Sequence, residues 1–445
     1  MYYYIVELSK YAIAFLMAIY TLECFLALKR EGSSPKTGVF VRQGIEMFLI
    51  QFLAYLSMCL RTGQIEYLFF YAFLQIALFS TMVLYQMLYP SVNRLLINNM
   101  CMLLSIGFIM LTRLDYQKAI KQFFIVVVGL ILALIIPYFI EKLRGIKHLK
   151  WLFGFGGIFA LSVVLILGQV TQGSKISYTV FGITLQPSEF VKILYAFFVA
   201  ALLYKAKRFW QVAISAFFAG IHILILVVSK DLGSSLIFFV GYLFVLLIST
   251  GNYLYFGGGL IAGGFASVVA YHLFGHVRVR VQAFLDPFTV IDNEGYQMSQ
   301  SLFAIGSGNW FGMGLYQGTP SDIPFVESDF MFSAVAEELG GIFAVCLILV
   351  CLTCFLAFFK ISMGLEDRFY RLVGCCLGVM YIFQIFLTIG GGMKFIPLTG
   401  VTLPLVSYGG SSVLTTVIMF AIMQGLQLIR HDEELIAQVS GIEEE

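Results

Sequence analysis

Apolar runs of about twenty residues recur along almost the whole chain of 445 residues. An α-helix needs about 20 mostly apolar residues to cross the hydrocarbon core of a bilayer. Polar segments separate the runs, so the pattern predicts about thirteen membrane-spanning helices and an all-α fold. The predicted spans are residues 5–28, 43–60, 66–88, 95–112, 122–140, 151–170, 187–204, 210–228, 232–249, 254–274, 333–359, 369–390 and 402–429.

The composition supports a polytopic integral membrane protein. Hydrophobic residues make up 60% of the chain, charged residues only 12%, and the mean hydropathy is +0.92. A soluble domain carries about 25% charged residues. This composition therefore disfavours a water-soluble enzyme, a disordered chain and a nucleic-acid-binding protein.

One connection is much longer than the others. Residues 275–331 separate two predicted spans and contain turn signals at Asp286-Pro287 and Thr319-Pro320. A long loop inside a compact membrane bundle is more often functional than idle. We therefore expect this segment to carry part of a functional site.

Basic loop residues predict the orientation of the bundle. Most loop lysines and arginines fall in one alternating set of loops, which the positive-inside rule places in the cytoplasm. The segment 113–121, with Arg113 and Lys118, is the exception. This orientation places the N-terminus and the loop 275–331 outside, and the acidic tail 431–445 inside.

Two polar clusters open predicted spans at this outer face. Pro187, Glu189 and Lys192 lie in the first, and the spacing of the two charges puts them on one helix face. They form either a self-neutralising pair that holds two helices together or a polar notch that lines an outward cavity. Asp231 opens the second, where it is either a helix cap or a functional acid.

Acidic residues also follow the long loop. Asp329 begins the next span as either an N-cap or a functional group, and Glu337 and Glu338 lie about two turns deeper. Acids at such depth need partners, for which Arg278, Arg280 and Lys394 are candidates.

A broken or late-starting helix is predicted at residues 397–412. This segment contains Pro397, Pro404 and three glycines, including Gly409 and Gly410. Irregular backbone at membrane depth is tolerated only where it is buried or lines a wet cavity. Its exposed N–H groups are suited to binding phosphate.

Five motifs together resemble the SEDS family of bacterial shape, division and sporulation proteins, which includes RodA, FtsW and SpoVE. They are QPSEFVK, KDLGSS, GYQMSQSLFAIGSGNWFGMGL, ESDFMFSAVAEELGG and PLTGVTLPLVSYGGSS, in this order. The resemblance covers roughly residues 95–430 and does not separate a RodA-like from an FtsW-like subtype. It implies a ten-helix core, with residues 1–94 as an addition of about three helices.

The resemblance implies a peptidoglycan glycosyltransferase that polymerises lipid II at the outer face of the bacterial cytoplasmic membrane. The implied partners are a class B penicillin-binding protein and other elongasome or divisome membrane proteins. The matching catalytic residue is Asp329. Glu327 stands where the family usually has His, and Ser328 replaces Thr.

The implied chemistry needs a base for the acceptor hydroxyl, because the pyrophosphate of the donor leaves without protonation. Burial and Glu327 would raise the pKa of Asp329, whereas a helix N-terminus would lower it. A divalent cation, Mg²⁺ or Mn²⁺, shared by Asp329 and the pyrophosphate is expected, and no organic cofactor. The expected substrate-binding residues are Glu189, Lys192, Asp231, Arg278, Gln297, Lys394, Ser407 and Ser411, supported by Glu327, Glu337, Glu338, Pro187, Pro404, Gly409 and Gly410.

Two other functions remain open at this point. A lipid II flippase would also need a polar notch and broken helices, but it has no need of a base at the junction of loop and helix. A non-catalytic scaffold that activates a penicillin-binding partner would have little use for acids inside the membrane.

Overall fold

The computed structural model describes residues 2–29, 37–143, 145–171, 174–180, 183–292 and 295–443. In this part of the chain, twelve helices are long and apolar enough to cross a membrane. The predicted all-α polytopic fold is confirmed, and the protein is a multi-pass membrane protein. The helices are α1 (Tyr2–Lys29), α2 (Thr37–Thr62), α3 (Glu66–Leu88), α4 (Arg94–Leu114), α5 (Tyr116–Lys142), α6 (Lys150–Leu167), α7 (Pro187–Leu203), α8 (Phe209–Val228), α9 (Leu232–Thr250), α10 (Tyr253–Leu273), α11 (Gly275–Leu285), α12 (Tyr296–Gly308), α13 (Met331–Leu339), α14 (Gly341–Met363), α15 (Arg368–Gly392) and α16 (Gly410–Glu443).

The predicted span 187–204 corresponds to α7, which has only 17 residues. At 1.5 Å per residue such a helix is about 25 Å long, shorter than the hydrocarbon core of a bilayer. Buried residues, including Glu189 and Lys192, lie along most of its length. Helix α7 therefore matches the predicted span closely in its bounds, and it is short and largely enclosed by other parts of the protein.

The predicted span 333–359 is two helices. Gly340, between α13 and α14, has a φ of +92°, and an added Cβ would lie 2.3 Å from the backbone nitrogen of Gly312. Only glycine fits such a left-handed and crowded position. Glu337 and Glu338 therefore lie on the short helix α13 and not on the membrane span α14.

The late helix start predicted near Pro404 is confirmed, because α16 begins only at Gly410. Residues 431–443 of the predicted acidic tail continue α16, and the tail itself stays a prediction. Its last two residues, Glu444 and Glu445, lie outside the described residues.

A small sheet precedes α7, and nothing in the hydropathy pattern predicted it. Its strands are β1 (Gln169–Thr171), β2 (Ser174–Val180) and β3 (Ile183–Leu185), and each pairs antiparallel with the next. The long loop 275–331 also has regular structure, because it contains α11, α12 and a 3₁₀ turn at Pro320–Asp322.

Contacts divide the chain into two compact units. The first comprises residues 1–130, 279–357 and 385–409. Its central helix is α4, in which residues 95–112 are all buried. Polar groups join α4 to its neighbours: the Asn99 Oδ1 accepts from the Tyr20 hydroxyl at 3.0 Å, and its Nδ2 donates to Thr353 at 2.9 Å. Such interhelical hydrogen bonds stabilise membrane bundles.

The second unit comprises residues 131–278, 358–384 and 410–445. Helix α7 packs against α6, α8, α9 and α16 in this unit. Three aromatic rings lie with their centroids 4.9 to 5.7 Å apart and join α14, α15 and α16. They belong to Phe358, Tyr381 and Phe420.

Helices α1–α3 belong to the first unit, where α2 and α3 pack against α4. The predicted boundary between residues 94 and 95 concerns the family core, and it stays a prediction.

Candidate active site

The irregular segment before α16 is fixed by close backbone packing in the first unit. An added Cβ on Gly107 of α4 would lie only 2.7 Å from the carbonyl oxygen of Val406, so glycine permits this approach. Leu405 is fully buried and has a left-handed φ of 66°. Backbone held in such a region is strained, and functional sites are where strain of this kind clusters.

Backbone N–H and C=O groups just before α16 form hydrogen bonds with side chains. Gln122 of α5 donates to the carbonyl of Ser407 at 3.3 Å and accepts from the N–H of Gly409 at 3.0 Å. The Ser407 hydroxyl accepts from the N–H of Leu403 at 3.0 Å. Buried backbone polar groups need hydrogen-bond partners, and these side chains supply them. Non-helical backbone is therefore stable here.

The same segment holds the residues just before Asp329. The Ser407 hydroxyl donates to the carbonyl of Ser328 at 2.6 Å, and the N–H of Tyr408 donates to the carbonyl of Glu327 at 2.7 Å. Ser407 is fully buried. Its hydrogen bond to Ser328 connects two loops of the first unit.

Asp329 is half-buried and lies just before α13. The residue at the N-cap of α13 is Phe330, and no side chain makes a capping hydrogen bond there. The N-cap alternative for Asp329 is therefore wrong. Its own N–H donates to Phe325, a residue with a left-handed φ of 59°.

Burial decides the pKa of the Asp329 carboxyl. Burial raises it to about 6, with a smaller increase from the nearby Glu327. A hydrogen bond from Ser328 and the charge of Arg280 lower it, but by less. Of the opposing effects considered from the sequence, desolvation is thus the largest. A carboxylate with such a pKa is suited to accept a proton near neutral pH.

Arg280 of α11 lies beside Asp329. Its Nη1 donates to the carbonyl of Thr399 at 3.1 Å. An added Cβ on Gly400 would lie 3.6 Å from both Arg280 Nη2 and Asp329 Oδ2. Arg280 was predicted as a partner of Glu337 or Glu338, and its contacts connect it to the Asp329 region instead.

The partner of Glu338 is Arg113, in the last turn of α4. Arg113 Nε lies 2.8 Å from Glu338 Oε1, and the two side chains are 12% and 0% exposed. Glu338 also accepts from the N–H of Tyr316, and Glu337 from that of Thr319. The predicted partners, Arg278, Arg280 or Lys394, are therefore wrong for Glu338. Glu337 and Glu338 do lie inside the structure rather than at its surface.

Glu327 pairs with Lys118, near the start of α5. The Lys118 ammonium also lies 5.7 Å from the centre of the Tyr408 ring. Arg113 and Lys118 both come from segment 113–121, which opposes the positive-inside rule. That exception was the signal in the sequence that these cations had a specific use.

The second unit contains the pair predicted in α7. Lys192 Nζ lies 2.8 Å from Glu189 Oε2 and donates to Gln384 at 2.6 Å. The side chains of Lys192 and Glu189 are 2% and 7% exposed. Pro187 stands in the first turn of α7, as predicted. The pair is therefore self-neutralising and enclosed, as the first of the two alternatives expected.

Asp231 caps α9, because its Oδ1 accepts from the N–H of Ser234 at 3.1 Å. Its Oδ2 accepts from the hydroxyl of Ser188 at 3.1 Å. Nearby, the Ser411 hydroxyl accepts from the N–H of Gln186 and donates to the carbonyl of Thr184. The capping alternative for Asp231 is thus confirmed.

The predicted site residues fall into the two units. Lys394 and Gln297 are half-buried, and Arg278 is exposed. The first unit contains Asp329, Glu327, Glu337, Glu338, Gln297, Lys394, Pro404, Ser407 and Gly409, and the second contains Pro187, Glu189, Lys192, Asp231, Arg278, Gly410 and Ser411.

Among the described residues, no three acidic, histidine or cysteine side chains lie close enough to hold a metal ion. Asp329 offers one carboxylate, and Glu327 beside it is already paired with Lys118. A divalent cation that keeps water and phosphate oxygens as its other ligands fits such a site, because Mg²⁺ is commonly bound by one or two carboxylates.

Known proteins resemble this chain over most of its length. The family model of FtsW, RodA and SpoVE, described as cell cycle proteins, matches residues 86–432. The peptidoglycan glycosyltransferase RodA of Mycobacterium tuberculosis is 31% identical over 364 residues, covering 75% of this chain and 77% of that protein. The probable peptidoglycan glycosyltransferase FtsW of Aliivibrio salmonicida is 32% identical over 290 residues, covering 62% and 70%.

Solved structures share the fold. A chain of a peptidoglycan synthase complex, solved to study how polymerization and crosslinking are coordinated, matches with a TM-score of 0.66 and 24% identity, covering 76% of this chain and 98% of that one. The rod shape determining protein RodA of Thermus thermophilus matches with a TM-score of 0.59 and 21% identity, covering 77% and 98%. With the family model and the sequence relatives, they show that the chain belongs to the SEDS family of FtsW, RodA and SpoVE.

Proposed function

We propose that this protein polymerises lipid II into glycan strands at the outer face of the bacterial cytoplasmic membrane. Peptidoglycan glycosyltransferase is the activity named for its RodA relatives, at 31% identity over three quarters of the chain. The single observation that carries the mechanism is Asp329, a half-buried carboxyl whose pKa is raised to about 6 and which caps no helix. The outward orientation rests on the distribution of basic loop residues.

The proposed reaction joins two lipid-linked sugars. The 4-hydroxyl oxygen of the acceptor attacks the anomeric carbon of the donor, and a glycosidic C–O bond forms. The bond between the anomeric carbon and the pyrophosphate oxygen breaks, and undecaprenyl pyrophosphate leaves with both bonding electrons. The acceptor hydroxyl gives its proton to the Asp329 carboxylate, which acts as general base.

The surrounding residues of the first unit would position this base and its substrate. Ser407 and Tyr408 fix the backbone of Glu327 and Ser328, which leads directly into Asp329. Arg280 beside Asp329 and the half-buried Lys394 are cations for the pyrophosphate charge. Gln297 of the first unit stays a proposed substrate-binding residue. So do five residues of the second unit: Glu189, Lys192, Asp231, Arg278 and Ser411. A divalent cation would supply further stabilisation of the leaving group's charge.

A complex with a class B penicillin-binding protein is part of the proposal. It is supported by the fold likeness to a chain of a peptidoglycan synthase complex, in which polymerization and crosslinking are coordinated. Other elongasome or divisome membrane proteins are expected partners as well.

Purified protein supplied with lipid II, Mg²⁺ and the penicillin-binding partner tests the reaction. We expect glycan strands on a gel and one undecaprenyl pyrophosphate released for each new glycosidic bond. Strands without release of that product would contradict the proposed leaving group. No strands, together with movement of lipid II across the membrane, would favour the flippase.

The pKa of Asp329 predicts how the polymerisation rate depends on pH. Below about pH 6 the carboxyl is protonated and cannot accept the acceptor's proton, so the rate rises with pH through about 6 and then levels. Because Glu327 raises that pKa, Glu327→Gln should move the acidic limb to lower pH. The pH–rate profiles of both proteins measure this. An unchanged limb, or one at higher pH, would be inconsistent with Asp329 as the base.

Removal of divalent cations tests the proposed electrostatic role of the metal. EDTA should stop polymerisation, and an excess of Mg²⁺ or Mn²⁺ should restore it. Because Asp329 is the one carboxylate proposed to hold the ion, the purified protein without lipid II should bind it weakly. Full activity in EDTA would leave the cationic side chains as the only stabilisers of the pyrophosphate.

A further inference from the structure

Helices α1 and α2, and all of α3 except its last three residues, precede the region that matches the family model, which begins at residue 86. They nevertheless contact the outer loop between α12 and α13 in the first unit. The rings of Tyr11 and Phe311 lie 5.1 Å apart, and the hydroxyls of Tyr67 and Tyr316 lie 3.1 Å apart. Two of the added helices thus reach the loop that leads to Asp329.

Tyr316 connects this contact to Arg113. The Arg113 guanidinium lies 4.2 Å from the centre of the Tyr316 ring, within the range of a cation–π interaction. Tyr316 itself has a left-handed φ of 62°, a strained conformation that surrounding contacts must maintain. Its N–H donates to Glu338 Oε1 at 3.1 Å.

Arg113 in turn fixes the far end of α13. It pairs with the fully buried Glu338 and donates to the carbonyl of Gly318 at 3.2 Å. Helix α13 has nine residues and begins two residues after Asp329. A short helix held at one end by Arg113, and preceded by a loop held by Ser407, fixes where Asp329 lies.

We propose that Tyr67 is a positioning residue for Asp329, acting through Tyr316, Arg113 and Glu338. The helices before the family region would then contribute to catalysis as well as to membrane packing. This inference rests on the proposed function in one respect, since it takes Asp329 as the base. The physical connection from α3 to α13 can be tested without that assumption.

Tyr67→Phe removes only the hydroxyl that contacts Tyr316. One hydrogen bond contributes about 1 kcal/mol, so kcat for lipid II polymerisation should fall roughly three- to tenfold. KM should stay unchanged, since the substrate contacts remain, and the thermal midpoint should fall only slightly, as the loss of one hydrogen bond predicts. Tyr316→Phe should give the same loss, and the double variant no further loss, because both remove one interaction.

Tyr71→Phe is the matched control. Tyr71 lies one turn further along α3, is equally buried, and its hydroxyl has no hydrogen-bond partner among the described residues. It should behave as wild type in every assay. Unchanged kcat in Tyr67→Phe, or an equal loss of kcat in Tyr67→Phe and Tyr71→Phe, would overturn the inference.

Hydrogen exchange separates this inference from the proposed function. Amides of residues 309–339 should exchange faster in Tyr67→Phe than in wild type or in Tyr71→Phe. If the wild-type protein makes no glycan, the proposed function fails, and the exchange result still decides whether Tyr67 holds α13. Unchanged exchange in Tyr67→Phe would show that it does not.

Discussion

Asp329→Asn should abolish polymerisation of lipid II while the protein remains folded. The amide keeps the shape of the side chain but cannot accept the acceptor's proton. General-base catalysis contributes about 10²- to 10⁴-fold to a rate, so the loss should be at least about a hundredfold. Because Asp329 makes no capping bond to α13, the thermal midpoint should change little. The rate of strand formation by purified protein measures the effect.

Asp322→Asn is the matched control for this variant. Asp322 lies in the same segment between α12 and α13 and is exposed, in the 3₁₀ turn at Pro320–Asp322. It should polymerise as the wild type does. If Asp329→Asn also kept more than a tenth of the wild-type rate, Asp329 would not be the base, and the role would pass to another group.

Lys192→Met should cause the largest loss of stability. It leaves the carboxylate of Glu189 buried without its cation, and removal of one partner from a buried pair costs about 3–5 kcal/mol. The double variant Glu189→Gln/Lys192→Met removes both charges and should recover most of this loss. Thermal unfolding of the purified proteins in one detergent measures the difference, as a drop in the midpoint for the single variant.

Lys147→Met provides the comparison for this pair. Lys147 and Asp367 also form an ion pair in the second unit, but their side chains are 31% and 32% exposed. An exposed pair contributes about 0–1 kcal/mol, so this variant should be close to wild type. If the double variant in α7 were as unstable as Lys192→Met, the loss would come from packing rather than from an unpaired charge. A stable double variant that no longer polymerises would favour substrate binding by Glu189 and Lys192.

The membrane spans could be predicted because each is a local property of the sequence. An apolar run shows directly that a segment lies in the membrane. The prolines of the 397–412 segment show that the helix after it begins late. The break at Gly340 was missed because the apolar pattern continues across it. What requires glycine there is the backbone of Gly312, which is distant in sequence and close in space.

The acids of the site could be found from the sequence, but their partners could not. Glu327 and Glu338 were visible as charges in an apolar chain, which are rare unless paired. Their cations, Lys118 and Arg113, come from more than two hundred positions away. The breach of the positive-inside rule at 113–121 is the feature of the sequence that marks the correct segment.

The pKa of Asp329 could not be predicted from the sequence. The sequence contains every group involved, including Glu327, Arg280 and Ser328, but not how far each lies from the carboxyl. Opposing effects of similar size cannot be ordered without geometry. Once the side chain is known to be half-buried, desolvation is the largest of them.

The most direct measurement follows lipid II in liposomes that contain the purified protein and its penicillin-binding partner. One sample reports glycan strands, and a second reports lipid II that has crossed to the other leaflet. A glycosyltransferase with Asp329 as base predicts strands from wild type, none from Asp329→Asn, and no movement of lipid II in either sample. Movement of lipid II without strands, unaffected by Asp329→Asn, would contradict it.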